Sequence, residues 1–322
     1  MNAAVLHSLD RPPRFESFPD PVAAENEVIV DVRAAALKPI DKQMASGTHY
    51  ARLGQLPVVC GMDGVGCLDD GTRVFFAGPR LPHGGMAERT VVPSLHCFPL
   101  PDNVDDVVAA AVFNPGLSAW GALVWRAQLV VGESVLILGA TGVTGKLAIQ
   151  TAKLLGARRI VAAGRNVEVL STLHELGADA TIRLDQSGQD LTEAFARESA
   201  GTGFDVIIDY LWGWPTEALL AALIRADLKP ESSRVRLIEV GESAGSTISV
   251  PAAVLRSSRL EILGAGSGSA PTSPEMWIEA VRRLLANVAS GALRIDIERI
   301  PLADVEQAWS REQHGRRVVL IP

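Results

Sequence analysis

Cysteine is scarce in this chain: three in 322 residues, Cys60, Cys67 and Cys97, an odd number with no CxxC pair. That excludes a disulfide framework and points to a reducing compartment, so a cytoplasmic location is expected. An excess of positive charge is also missing. The net charge is −7 and the pI about 5.5. The adjacent basic pairs Arg158-Arg159, Arg282-Arg283 and Arg316-Arg317 are too small for a nucleic-acid footprint, and neither a nucleic-acid nor an anionic membrane surface is expected. The first residues, MNAAVLHSLDRPPRF, carry no basic region ahead of an apolar core, so no secretory signal is expected. The longest uncharged run, 107–125, is interrupted by Asn114, Pro115 and Gly116, which predicts a break rather than a membrane span. No internal repeat is visible.

What is present is ample core material. Apolar residues make up 48% and charged residues 21%, a globular balance, and the length suggests two domains. Up to about residue 100 the pattern is β-rich: 28–32 (VIVDV), 73–76 (RVFF) and 87–92 (AERTVV) are short strand-like runs between Pro and Gly. From about 133 strands and helices alternate. Strands are predicted at 134–138 (SVLIL), 160–163, 181–184, 205–209 (DVIID), 235–240 (VRLIEV) and 259–263 (RLEIL). Helices are predicted at 146–155, stopped by Gly156, at 166–176, stopped by Gly177, and at 274–289. Apolar strands alternating with helices predict an α/β fold, a doubly wound parallel sheet covered on both faces. The Gly/Ser/Pro-rich stretch 264–274 is expected to be an ordered loop rather than a linker, because strong patterns flank it.

The most informative segment is LGATGVTGKLAIQ, 138–150. A strand that feeds glycines into a helix N-terminus offers backbone N–H groups and the positive end of a helix to an anion, and missing side chains permit close approach. The fingerprint reads Ala140-x-Gly142-x-x-Gly145 with Gly139 just ahead, and its strand–turn–helix–strand context points to a dinucleotide. Gly139, Ala140, Thr141, Gly142, Val143, Thr144 and Gly145 are therefore candidate cofactor-binding residues. An NAD site wants a carboxylate at the tip of the second strand, about 20 residues on. This strand ends Gly164-Arg165-Asn166. The guanidinium of Arg165 suits the 2′-phosphate of NADP, with Gly164 and Asn166 beside it.

These residues resemble the medium-chain dehydrogenase/reductase superfamily, and in particular its zinc-free quinone oxidoreductase branch. The matching pieces run along nearly the whole chain: LKPID (37–41), GTHY (47–50), GMDGVG (61–66), GGMAERTVVP (84–93), GLSAWGAL (116–123), VLILGATGVTGKLAIQTAKLLGA (135–157), FDVIIDYLWG (204–213) and GRRVVLIP (315–322). The resemblance implies a discontinuous GroES-like catalytic domain, 1–118 with 266–322. A Rossmann cofactor domain, 119–265, is inserted into it, with the active site in the cleft. It also implies a homodimer, paired through the last cofactor-domain strand near 260–265.

Departures from the zinc alcohol dehydrogenases follow from the same resemblance. Their GHE motif looks like Gly61-Met62-Asp63 here, their first zinc cysteine falls near Lys38, and their four-cysteine lobe is absent. No metal is expected. Without a Lewis acid, hydride transfer suits an acceptor activated by conjugation, a quinone or enone, with negative charge stabilised on oxygen by protein donors. The resemblance puts Lys38 and Tyr50 on the substrate side as candidate catalytic groups, with Asp41 structural. It places Ser118, a helix N-cap candidate, by the nicotinamide, a loop of Gly241, Glu242 and Ser243 over the cofactor, Gly264, Ala265, Gly266 and Ser267 near the nicotinamide amide, and Arg317 near a cofactor phosphate. A zinc-type alcohol dehydrogenase and a low-turnover NADPH-binding redox sensor remain open alternatives.

Overall fold

The computed structural model describes residues 1–201, 203–224, 234–311 and 315–322. The chain divides into two units, Met1–Asn114 with Val281–Pro322, and Pro115–Ala280.

The first unit opens with β1 (Asn2–Leu6), β2 (Arg14–Ser17), β3 (Glu27–Ala36), α1 (Pro39–Ala45), β4 (Val58–Val59), β5 (Asp63–Cys67), β6 (Arg73–Ala77), β7 (Arg89–Pro93) and β8 (Cys97–Pro99), and leads into α2 (Asp106–Trp120). The β-branched run of β3 suits a pleated half-buried surface. Val30, Val32 and Ala34 point inward, while Asp31 and Arg33 between them face solvent.

The second unit holds β9 (Ser134–Leu138), α3 (Val143–Leu154), β10 (Arg159–Gly164), α4 (Val167–Leu176), β11 (Ala180–Arg183), α5 (Gly188–Ser199), β12 (Val206–Asp209), α6 (Trp214–Ala222), β13 (Val235–Glu239), α7 (Ala252–Ser257) and β14 (Leu260–Gly264). Then α8 (Pro274–Ala289) leads back into the first unit, which closes with β15 (Ile297–Pro301), α9 (Val305–Ser310) and β16 (Arg317–Ile321). There β16 pairs in parallel with β15 and antiparallel with β3.

The second unit's sheet has the order β11-β10-β9-β12-β13-β14, every pair parallel. The order reverses between β9 and β12, and open α/β sheets bind ligands at the carboxyl ends beside such a reversal. All five residues of β9 are buried. Val135 and Ile137 pack with Ala148, Ile149, Leu170 and Leu173 on one face, and Leu136 and Leu138 with Leu191, Phe195, Leu219 and Leu220 on the other. Each such large side chain contributes about 1.5–3 kcal/mol on burial.

The expected break at 114–116 does not occur. The helix α2 runs through Pro115 and continues as a π-helical segment, Gly121–Arg126. The proline removes one backbone bond, but burial of the Ala- and Val-rich flanks decides the outcome. By length and composition Asp106–Arg126 could cross a membrane, yet 67% of its apolar window is buried inside the protein, so its hydrophobicity is core packing. The stretch after β14 is an ordered loop, as the sequence suggested. Arg126 Nε donates to Gly264 O at 2.7 Å, a short 3₁₀ turn spans Ser267–Ser269, and Trp277 Nε1 donates to Pro271 O at 2.9 Å.

Candidate cofactor and acceptor site

The chain leaves β9 through Gly139, whose φ of 84° is a left-handed conformation that only glycine adopts without strain. The N–H groups of Gly139 and Ala140 both donate to Ala163 O, at 3.0 and 2.9 Å, tying the turn to the neighbouring strand. Gly142 is the N-cap of α3. The first bond of the helix runs from Lys146 N to Gly142 O at 2.9 Å, so the amides of Val143, Thr144 and Gly145 precede it and present their donors at the positive helix end.

The glycines differ in what they are for. A Cβ on Gly145 would collide with Gly139 O and Ala140 Cα, so that glycine is required by helix–strand packing. Gly142 has an ordinary φ of −79°, and a Cβ there would meet only Gly139 O, at 3.4 Å. No protein atom demands a glycine at 142. A bare, exposed backbone with donors beside it is the cradle a pyrophosphate needs, and these residues fit that group.

Register brings the other candidates to the same edge. Gly164 ends β10, where a Cβ would strike Thr141, so its glycine lets the turn close down on the strand tip. Arg165 follows, exposed and without a hydrogen-bond or ion-pair partner among the described residues. Asn166 caps α4, its Oδ1 accepting from Val169 N at 3.0 Å. Gly241 and the exposed Glu242 follow β13. Gly264 ends β14, and Ala265 and Gly266 follow it. In a parallel sheet all of these lie at the carboxyl edge.

Two residues beside this edge went unassigned in the sequence. Asp209, fully buried at the end of β12, accepts from Leu211 N at 2.8 Å and Trp212 N at 2.9 Å through Oδ1, and from Thr216 Oγ1 at 2.5 Å through Oδ2. It holds Trp212 at a φ of 53°, a conformation bulky residues rarely adopt. Burial pushes Asp209 above the usual carboxylate range, against the pull of those three bonds. The visible signal was an aspartate closing an apolar strand, VIID. Tyr210 packs beside the glycine turn, and its buried hydroxyl has no hydrogen-bond partner among the described residues. Burial drives that phenol well above its ordinary value.

Three expectations are corrected. Ser118 is not an N-cap: it lies inside α2, whose first turn is capped instead by Asp105, accepting from Val107 N and Val108 N. Arg317 does not reach toward a cofactor phosphate. It is 2% exposed inside the first unit and donates to Leu37 O at 2.9 Å, and burial, opposed by Asp41 and Asp63, pulls it down to about 10. Lys38 is not an available oxyanion donor. It is 1% exposed, and its ammonium is bound to Asp63 Oδ1 at 2.8 Å, Ala36 O at 3.0 Å and Asp41 Oδ2 at 3.1 Å. Two of its N–H groups donate, to Ala36 O and Asp63 Oδ1, and Asp41 completes the cage as an ion pair. Burial opposes the charge, but Asp41 and Asp63 outweigh it and hold Lys38 above its ordinary value. Asp41 is structural, accepting from Lys38 N at 2.9 Å to cap α1. Tyr50, in contrast, is 73% exposed, with its ring 4.1 Å from that of His49.

With this geometry in place, comparison with known proteins defines the class. The domain model described as zinc-binding dehydrogenase matches residues 143–286. The whole chain aligns with the whole of a probable NADPH-dependent quinone reductase of Emericella nidulans at 25% identity. It is 27% identical to the quinone oxidoreductase of Homo sapiens, covering 92% of this chain and 88% of that one. Among solved structures, the quinone oxidoreductase from Thermus thermophilus, also solved as its complex with NADPH, is 29% identical with a TM-score of 0.82, covering 100% of both chains. Together these matches support a place for the chain in the medium-chain dehydrogenase/reductase superfamily, in its quinone oxidoreductase branch.

The zinc in that domain description does not fit the donors found here. Among the described residues no three His, Cys, Asp or Glu side chains gather into a possible metal site. At the positions that resemble the family's ligands stand a charged lysine, already engaged, and the thioether of Met62.

Proposed function

We propose that this chain is an NADPH-dependent oxidoreductase that transfers hydride to a quinone or another α,β-unsaturated carbonyl without zinc. The observation that carries the reading is the turn at 139–145, where Gly142 is bare for no internal reason and three helix-end amides stand open, with the unengaged Arg165 at the next strand tip. The amides of Val143, Thr144 and Gly145 would hold the pyrophosphate. Arg165, with Gly164 and Asn166, would hold the 2′-phosphate, since a free guanidinium forms a paired, charge-assisted contact with phosphate oxygens. The edge residues Gly241, Glu242, Gly264, Ala265 and Gly266, with Ser118, would border the nicotinamide. Bound there, the reduced cofactor supplies the hydride.

The acceptor needs a donor where oxyanion charge develops. Lys38 is committed elsewhere, so the role falls to Tyr50, whose phenol is exposed and can donate a hydrogen bond or a proton. The relatives named as quinone reductases support this substrate class. A homodimer belongs to the same reading: β14 is an edge strand, with Glu261, Ile262 and Gly264 exposed along it. So does the cytoplasm, with Cys60, Cys67 and Cys97 all free thiols.

The test is NADPH consumption by purified protein across a panel of quinones and enones, with metal analysis of the same sample. Turnover with sub-stoichiometric zinc is expected. NADPH binding with no oxidation of it by any acceptor would favour a sensor, and stoichiometric zinc would favour an alcohol dehydrogenase.

A further inference from the structure

We propose that Lys38 is a built-in cation that takes the place of a metal ion in this chain, seated in an oxygen-lined pocket that would bind a free alkylammonium ion if the lysine were cut back. Three acceptors from three different segments converge on its Nζ: Ala36 O at the end of β3, Asp41 Oδ2 in the first turn of α1 and Asp63 Oδ1 at the start of β5. Contacts of 2.8–3.1 Å are ammonium hydrogen-bond lengths, longer than the roughly 2.0–2.6 Å of metal–oxygen bonds. Asp41 and Asp63 are 3% and 4% exposed, so water does not compete for these oxygens. Two buried carboxylates without a cation would be an uncompensated charge in a poorly polarisable interior. Lys38 and the buried Arg317 set two positive charges against them, although burial still holds Asp63 above the usual carboxylate range.

The disagreement between the domain's zinc-binding description and this donor set then has a physical content. The lysine stem carries its own cation to the place where the resemblance puts the first zinc ligand. The cation joins β3, α1 and β5 without needing a metal supply. Its function is positional, because its ammonium is bound to oxygens of β3, α1 and β5. The proposal deepens the zinc-free part of the proposed function, and its readouts are stability and lysine reactivity rather than NADPH oxidation, so the two readings fail separately.

Cutting Lys38→Ala removes Cγ, Cδ, Cε and Nζ, the atoms of n-propylammonium. The expected result is a melting temperature below that of wild type that rises saturably with n-propylammonium. Tetramethylammonium, which has the charge but no N–H donors, and propanol, which has no charge, should restore less at equal concentration, and wild type should respond to none of them. Lys38→Met, of similar length and no charge, should also be strongly destabilised. Absence of recovery specific to the primary ammonium, or Lys38→Met melting with wild type, overturns the proposal. Should Lys38→Ala fail to fold, reductive methylation of wild type read by mass spectrometry decides: the exposed Lys153 should react and Lys38 should remain unmodified. Native-state modification of Lys38 at the rate of Lys153 contradicts a sealed cation.

Discussion

A methyl group added at Gly145 would run into the carbonyl oxygen of Gly139, while one added at Gly142 would meet that same oxygen only at ordinary contact distance, 3.4 Å. The two glycines of one loop therefore answer to different demands. Gly145→Ala should destabilise by about 1–3 kcal/mol through overpacking against backbone that cannot yield. Gly142→Ala should melt close to wild type yet bind NADPH at least about tenfold more weakly, since its methyl occupies the ligand's approach. Thermal unfolding and a binding titration on both variants check this. Equal stability losses, or full affinity in Gly142→Ala, would contradict it.

Tyr210 offers a test of polar bookkeeping in the core. Its hydroxyl is buried without a partner among the described residues, and an unsatisfied polar group costs about 1–3 kcal/mol of desolvation. Tyr210→Phe removes only that oxygen. The variant should be as stable as wild type or more so, by chemical denaturation at neutral pH. A loss of more than about 1 kcal/mol would mean the hydroxyl has a partner in solution.

Asp209 gives the protein a pH signature. Burial outweighs the opposing bonds from Thr216, Trp212 and Leu211 and raises its folded pKa above the ordinary value of 3.8. A group raised in this way holds its proton more tightly when folded. Its contribution is fully present below the unfolded value and is lost as pH rises through the folded one. Asp209→Asn keeps an oxygen for Leu211 N and Trp212 N and has no proton to exchange. Wild type should therefore gain stability relative to Asp209→Asn as pH falls from about 7 toward about 4. A flat difference, or one of opposite slope, would show that the bonds outweigh burial.

The cofactor unit was largely legible from sequence because its order is written locally. Buried parallel strands run apolar, glycines stop the helices, and α8 begins and ends where its pattern does. Edges moved by a few residues, as at α3, which starts at Val143 rather than 146 because its first turn is the glycine loop itself. Contacts between distant residues were illegible. Lys38 looked free because its partner Asp63 lies 25 residues away, and Arg317 because its acceptor, Leu37 O, lies 280 residues away. The helix through Pro115 was missed because local propensity is overruled by burial. Asp209 and Tyr210 matter through which backbone groups surround them, and no spacing announces that.

The proposed function requires a pyrophosphate-bearing cofactor with a 2′-phosphate to dock on this turn beside Arg165. Fluorescence titration of wild type and Arg165→Ala with NADPH and NADH tests it most directly. A charged hydrogen-bonded contact contributes about 1.5–3 kcal/mol, so wild type should prefer NADPH by about tenfold to a hundredfold. Arg165→Ala should erase most of that preference while leaving NADH affinity unchanged. Equal affinity of wild type for the two cofactors, or an undiminished preference in Arg165→Ala, would contradict the account.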